Sequence, residues 1–469
     1  MAIIVLDVGK SLTKLSLWTD EGALIERRSR PNARVNTRDY VALDVLGIED
    51  WVTGVLRYFA RTAPVTAIIP IGHGAAVAIV RDGSLVCPPM DYEQPIPAVE
   101  RAQYNSGRDR FLLTGSPALP DGLNLGAQLH QLERLVPDLL TGHALILPWP
   151  QYWAWLLSGI AASEVTSLGC HSDLWQPLAG APSALARSRG WVDHFAPLRK
   201  ASDVLGPISP EWAVRTGLSP EVRIYCGLHD SNASLLAARS FPEIAGREST
   251  VLSTGTWFVA MRTPASDAEI AIAGLPEARD CLVNVDVDAR PVPSARFMGG
   301  REIEILLSTD ARIDTTADQA DLFAALPKLL GSGAMVLPSF RPGCGPFPIS
   351  RGRWTSMPAV AAERRAAICL YAALVADVSL GLIGAQERIL IEGRFAHAEL
   401  FVRALASLRP AAKTYICNVD NDVSYGALRL IDPRLAPSTR LTEAAPLELD
   451  LSDYRGRWLK AIAQREAAA

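Results

Sequence analysis

The 469-residue chain lacks paired cysteines, an excess of charge and a long apolar run, and each absence removes a class of protein. Its seven cysteines (Cys87, Cys170, Cys226, Cys281, Cys344, Cys369 and Cys417) are scattered without a C-x-x-C pair, which argues against a disulfide framework and a cysteine-rich zinc site. Lys and Arg number 46 against 50 Asp and Glu, for a formal net charge of -4. So balanced a chain has no global field directing it to nucleic acid or to an anionic membrane surface. We read no run of ~18 apolar residues, and so expect no membrane span. Met1 leads straight into a strand without the basic start of a signal peptide, so a reducing cytoplasm is the expected location. No H-E-x-x-H, G-x-S-x-G or G-x-G-x-x-G motif occurs, which leaves a zinc protease, a triad hydrolase and a dinucleotide enzyme without support.

What is present is ordinary globular material, 49% hydrophobic and 20% charged. The length suits two to four domains at roughly 100–200 residues each. Residues 3–6, 15–18 and 23–25 read as an antiparallel meander with a glycine bend after the first strand. From Ile48 the period changes: Trp51, Val52, Val55, Leu56 and Phe59 fall on one helix face. Residues 65–69 read as a buried strand ending in Gly72-His73-Gly74, so the fold class is α/β. Residues 87–220 are irregular and rich in Pro and Trp, and read as a folded insertion. Helices are expected over 359–385, 395–408 and 425–431, with strands at 388–391 and 414–417. Val5-Leu-Asp-Val-Gly-Lys10 returns in outline as Val251-Leu-Ser-Thr-Gly-Thr256, a strand running into a polar-x-Gly bend. Two domains are therefore expected, 1–243 and 244–469.

Four segments carry groups suited to chemistry. In the first bend, Gly9 admits close backbone approach by a phosphate, Ser11 and Thr13 supply hydroxyls, and Lys10 and Lys14 supply positive charge. Asp7 at the strand end suits a hydrated Mg²⁺. Walker A is excluded, because Ile4 stands where its first glycine belongs and a strand follows instead of a helix. An ordinary charged hairpin is the other reading. His229 and Asp230 follow a strand and Gly227; Asp230 is placed either to take a proton from a hydroxyl or to cap the helix it starts. Thr254, Gly255 and Thr256 form a second hydroxyl-rich bend, either a phosphate clamp or a plain hairpin. Gly72, His73 and Gly74 are placed to meet a polyol, or hold a structural histidine on a turn.

In this order the segments resemble the FGGY family of carbohydrate kinases, within the actin-like ATPase superfamily, over nearly the whole chain. The resemblance implies two ribonuclease-H-like domains flanking a central cleft, with ATP and Mg²⁺ as cofactors and a sugar as partner, without nucleic acid or membrane. Asp7, Gly9 and Lys14 match the family's first phosphate bend, and Thr254, Gly255, Thr256 and Trp257 the second. Gly227, His229 and Asp230 match the stretch that carries its general base. Gly393 and Arg394 match the adenosine turn, His73 the sugar-contacting histidine, and residues 342–352 a segment before the long helix. The His-Asp and Gly-Thr-Trp pair is most similar to rhamnulose and fuculose kinases, so the implied substrate is a ketose or deoxyketose, and a homodimer is compatible. Two positions depart from the pattern. Arg394 stands where the family has a second glycine, and Ile71-Gly72 where it has Gln-Met. Arg394 motivates an alternative: a sugar- or nucleotide-sensing protein with the kinase fold and little catalysis.

Overall fold

The computed structural model describes residues 1–265, 270–417, 423–437 and 439–466. The chain forms two units, one of residues 1–240, 283–291 and 422–436, the other of 241–282, 292–421 and 437–469. The expected boundary at 243/244 lies beside the first break, but the chain returns twice to the first unit, so neither unit is one continuous stretch.

In the first unit, β1 (Ala2–Val8), β2 (Leu12–Thr19), β3 (Leu24–Pro31), β4 (Val65–Gly72), β5 (Val204–Pro207) and β6 (Arg223–Tyr225) make a sheet in the order β5-β6-β4-β1-β2-β3, and β7 (Leu228–His229) also pairs with β4. All of β1 is buried, because a near-continuous apolar strand must be covered on both faces. Ile4, Leu6 and Val8 face one core; Ile3 and Val5 face another with Ala233, Ala427 and Leu428. That second core recruits the returning helix Val423–Leu428, which a boundary drawn in chain order does not anticipate. Helix α1 (Val45–Thr62) begins where the Asp44 carboxylate accepts the Gly47 N–H at 3.0 Å. It buries Ile48, Val52, Val55, Leu56 and Phe59 on the first core, each worth about 1.5–3 kcal/mol of transfer free energy. The irregular stretch after Cys87 is folded on its own core of Met90, Tyr104, Leu125, Leu129 and Trp191. Arg108 clamps the buried Asp173 there through two bonds of 2.8 and 3.0 Å. Helix α2 (Asp230–Ala238) follows β7 directly.

In the second unit, β8 (Ser249–Thr254), β9 (Phe258–Thr263), β10 (Pro291–Phe297), β11 (Arg388–Gly393), β12 (Lys413–Ile416) and β13 (Thr442–Glu443) are neighbours in the order β10-β9-β8-β11-β12-β13. Two helices matter below: α3 (Gly299–Leu307) and α4 (Ala361–Leu382). By length and composition alone α4 could cross a membrane, which corrects the reading that no such run exists; 83% of its most apolar window is buried, so it is the core helix of this unit. The helix expected over 395–408 splits into a 3₁₀ turn at Arg394–His397 and a helix over Glu399–Leu408.

The six-residue sequence repeat is a repeat of topology. β1 is antiparallel to β2 and parallel to β4; β8 is antiparallel to β9 and parallel to β11. The two bends close alike: Gly9 N–H donates to the Leu12 carbonyl and Gly255 N–H to the Trp257 carbonyl, each at 3.0 Å.

Candidate active site

His229 pairs with Gly72 across β7 and β4, which sets the His229-Asp230 and Gly72-His73 pairs side by side at the C-terminal edge of the first sheet. Ligands of open α/β sheets bind at that edge. Asp230 is the first residue of α2 and its side chain is 32% exposed. Its Oδ1 accepts the Ser231 N–H at 2.6 Å and the Ser231 hydroxyl at 3.2 Å, and lies 3.1 Å from His229 Nε2. A helix-capping carboxylate reaches the N–H groups two or three residues on, which Asp230 does not do. Oδ2 has no hydrogen-bond partner among the described residues.

Both histidines are buried. Burial holds the His229 imidazole below its ordinary value, against the pull of Asp230. It pushes His73 down to about 4, although the Gly74 carbonyl and Asp230 act in the other direction. A neutral His73 donates through Nδ1 to the Gly74 carbonyl at 2.7 Å, leaving Nε2 as an acceptor without a partner among the described residues. In the same way, donation from His229 Nε2 to Asp230 leaves Nδ1 as an acceptor without a partner. The rings of Tyr92 and Trp149 flank His73 at 5.7 and 6.1 Å.

The first bend is less open than its composition suggests. Thr13 is wholly buried and its hydroxyl donates to Asn32 Oδ1 at 2.7 Å. Asn32 Nδ2 donates to the Gly9 carbonyl at 2.8 Å and Asn32 N–H to that of Ser11 at 2.9 Å, so Asn32 staples the bend. Lys10 pairs with the buried Asp91 and sits 4.3 Å above the Tyr92 ring, which turns it toward His73. Ser11 is exposed, and Lys14 Nζ lies 3.4 Å from Asp7 Oδ2. Burial raises Asp7 to about 6, with Lys14 opposing and Asp230 adding to the rise.

A folded-state value above the ordinary one means that ionising Asp7 opposes folding, and that stability is lost as the pH climbs from 3.8 through about 6. In metal-free buffer, Asp7→Asn should therefore stabilise the protein near pH 8, by up to roughly 3 kcal/mol, and leave it unchanged near pH 4. Thermal melts at both pH values check this; equal differences at the two would contradict it.

The second unit gathers its own set. The buried Thr254 hydroxyl donates to the Glu392 carbonyl at 2.5 Å and accepts the Phe395 N–H at 3.0 Å, so it joins the Gly255 bend to the Gly393 turn. Thr256 is exposed beside Gly255. Gly300, in the first turn of α3, passes so close that a methyl group there would fall 2.0 Å from the Gly255 carbonyl. The helix start thus brings backbone N–H groups to the bend, as anion sites require. Arg394 does not point free: its Nε bonds Asp314 Oδ2 at 2.8 Å and Nη1 lies 3.4 Å from Glu304 of α3. Burial raises the Asp314 carboxyl, but hydrogen bonds from Arg312 and Arg394 outweigh it and hold it well below the ordinary range.

Several supports were not singled out from the sequence. Thr166 Oγ1 accepts the His229 N–H at 3.0 Å and donates to Glu164 at 2.5 Å. Gln151 Nε2 donates to the carbonyls of Gly227 and Cys226 at 3.1 and 3.3 Å. Asn32, Glu164 and Thr166 are isolated polar residues with no local pattern. Asp91-Tyr92 and Gln151, in aromatic clusters, and the Gly299-Gly300 pair before a helix carry a sequence signal.

Residues 246–439 match the family model for the C-terminal domain of FGGY carbohydrate kinases. A carbohydrate kinase from Novosphingobium aromaticivorans is 54% identical over 99% of both chains, with a TM-score of 0.95. The chain belongs to the FGGY family of carbohydrate kinases. It is an ATP-dependent carbohydrate kinase with an α/β fold of two actin-like ATPase domains. Xylulose kinase from Rhodospirillum rubrum (18% identity, 100% and 99% coverage, TM-score 0.82) shares that fold. So does glycerol kinase with ADP from Plasmodium falciparum (12% identity, 99% and 98% coverage, TM-score 0.81). No curated protein matches this FGGY kinase.

Proposed function

We propose that this kinase phosphorylates a hydroxyl of a ketose or deoxyketose, with Asp230 as general base. The observation that carries the reading is the Asp230 carboxylate itself: Oδ1 is held by Ser231 and faces His229, while Oδ2 is left to accept a proton. His229 Nε2 donates to the carboxylate and fixes its orientation. His73, neutral at physiological pH, offers an acceptor nitrogen to a sugar hydroxyl. Lys10, Asp91 and Tyr92 wall the same side. In the second unit, the Gly255 bend and the α3 start suit phosphate oxygens, and the Gly393 turn suits adenosine. In the first, Lys14 and the Gly9 backbone do the same for the transferred phosphate. Phosphoryl transfer depends mostly on positioning and charge neutralisation, and these groups supply both.

Among the described residues no cluster of three metal-ligating side chains occurs. A buried carboxylate whose charge is only partly offset, as Asp7 is, nonetheless suits a hydrated Mg²⁺ held by one protein carboxylate and the substrate phosphates. Bound there, Mg²⁺ would neutralise phosphate charge. The tether from Arg394 to Asp314 and Glu304 removes the motive for a sensing protein.

A coupled ADP-release assay over ketoses, deoxyketoses and polyols tests the reading. Sugar-dependent ADP release with a ketose or deoxyketose is expected. Release with polyols alone would overturn the substrate class, and sugar binding without any release would restore the sensor.

A further inference from the structure

The far end of α2 borders a cavity. Leu236 and Arg239 line it, roughly 9 and 13 Å along the helix from Asp230 at 1.5 Å per residue. It lies wholly within the first unit and has a volume of about 890 Å³, within the range of small-molecule sites.

Four cations line this cavity: Arg199, Lys200, Arg239 and Arg429. Arg239 is neutralised, with Asp286 at 2.7 Å and Asp288 at 3.8 Å. The other three have no carboxylate within ion-pair distance among the described residues. Two carboxylates share the lining: Asp203, which accepts the Lys200 backbone N–H at 3.0 Å, and Asp288, which faces Arg239. Arg429 donates one amino group to the Leu435 carbonyl, but its Nε is buried without a partner, and burial holds the guanidinium below its ordinary value. Four cations against two carboxylates leave the lining with an excess of positive charge, and three of those cations, one of them partly desolvated, lack an ion-pair partner among the described residues, which suits an anion. The remaining wall includes Trp175, Leu236 and Leu430, which suits a carbon skeleton.

We propose that this cavity is a second ligand site, for a small phosphomonoester, with its phosphate on Arg199, Lys200 and Arg429 and its body against Trp175 and Leu236. The site is tied to the catalytic edge. The carbonyls of Asp203 and Ala201, on the lining, accept the N–H groups of Cys226 and Gly227 at 2.9 and 3.1 Å, and that segment leads into His229 and Asp230. The proposal does not depend on which sugar the enzyme phosphorylates.

Isothermal titration of the full chain with glucose 6-phosphate, AMP and inorganic phosphate tests it. At least one of the two esters should bind. Its affinity should fall about tenfold or more in the double variant Arg199→Gln/Lys200→Gln, the scale of lost charge-assisted hydrogen bonds. Both side chains are exposed and unpartnered, so the variant should fold and keep its basal ADP-release rate. Arg429→Gln should weaken the same ester. Which ester binds tighter identifies the source of the phosphate. Three results would overturn the proposal: no ester binding, ester binding unchanged in the double variant, or inorganic phosphate binding as tightly as either ester.

Discussion

Asp230→Asn is expected to lower kcat by ~10²–10⁴, the scale of losing a general base, with little change in sugar affinity or melting temperature. The substitution is nearly isosteric. An amide oxygen at Oδ1 still accepts from Ser231 N–H and from His229 Nε2, so the start of α2 and the imidazole keep their places. What disappears is the proton acceptor at Oδ2. A group that acts only as the sugar hydroxyl loses its proton contributes to the transition state and not to binding, so kcat and kcat/KM should fall together. Turnover within a few-fold of the parent would remove Asp230 from the mechanism. A large drop in melting temperature would instead give the Asp230 charge, in the first turn of α2, a structural role.

Gly227→Ala should combine backbone strain with a backbone clash at the entrance to the site. Gly227 has φ +77, a region that L-residues with a Cβ avoid, and a Cβ built there falls 2.1 Å from the Pro70 carbonyl oxygen. That atom is backbone in β4 and cannot rotate away. Relief requires β4 or β7 to shift, and β7 is what sets His229 beside Gly72. We expect a loss of about 3 kcal/mol or more in stability, beyond the 1–3 kcal/mol of backbone strain alone, together with a lowered kcat. Gly217→Ala is the control: its φ is +72 but nothing lies within 4 Å of the added methyl, so only strain should register. Chemical denaturation of both variants checks the difference, and equal losses would show that the Pro70 contact is immaterial.

The α/β class, the paired glycine bends and the Asp230 segment could be read from the chain because each is local. Ile3, Ile4, Val5 and Leu6 form an apolar run that only a central strand accommodates, and Gly9 and Gly255 mark where two such runs reverse. Composition was a poorer guide to side-chain direction. Lys10 and Lys14 look equivalent in sequence, yet one pairs with Asp91, 81 residues away, and the other with Asp7. Thr13 looks like a phosphate ligand, but it sits opposite Val8 in the β1–β2 ladder, where its hydroxyl meets Asn32. Arg394 looks like an obstruction to adenine until Asp314 and Glu304 are placed around it.

By itself, then, the order of residues determined the kind of fold, the two bends and the carboxylate that begins α2, since periodicity and glycine act over a few residues. The tertiary structure alone decided which charges are neutralised, that residues 283–291 and 423–436 join the first unit, and that a cationic cavity borders the far end of α2. The physical reason is range: strand and turn preferences are settled by adjacent residues, whereas burial and ion pairing depend on groups that meet only after the chain has closed on itself.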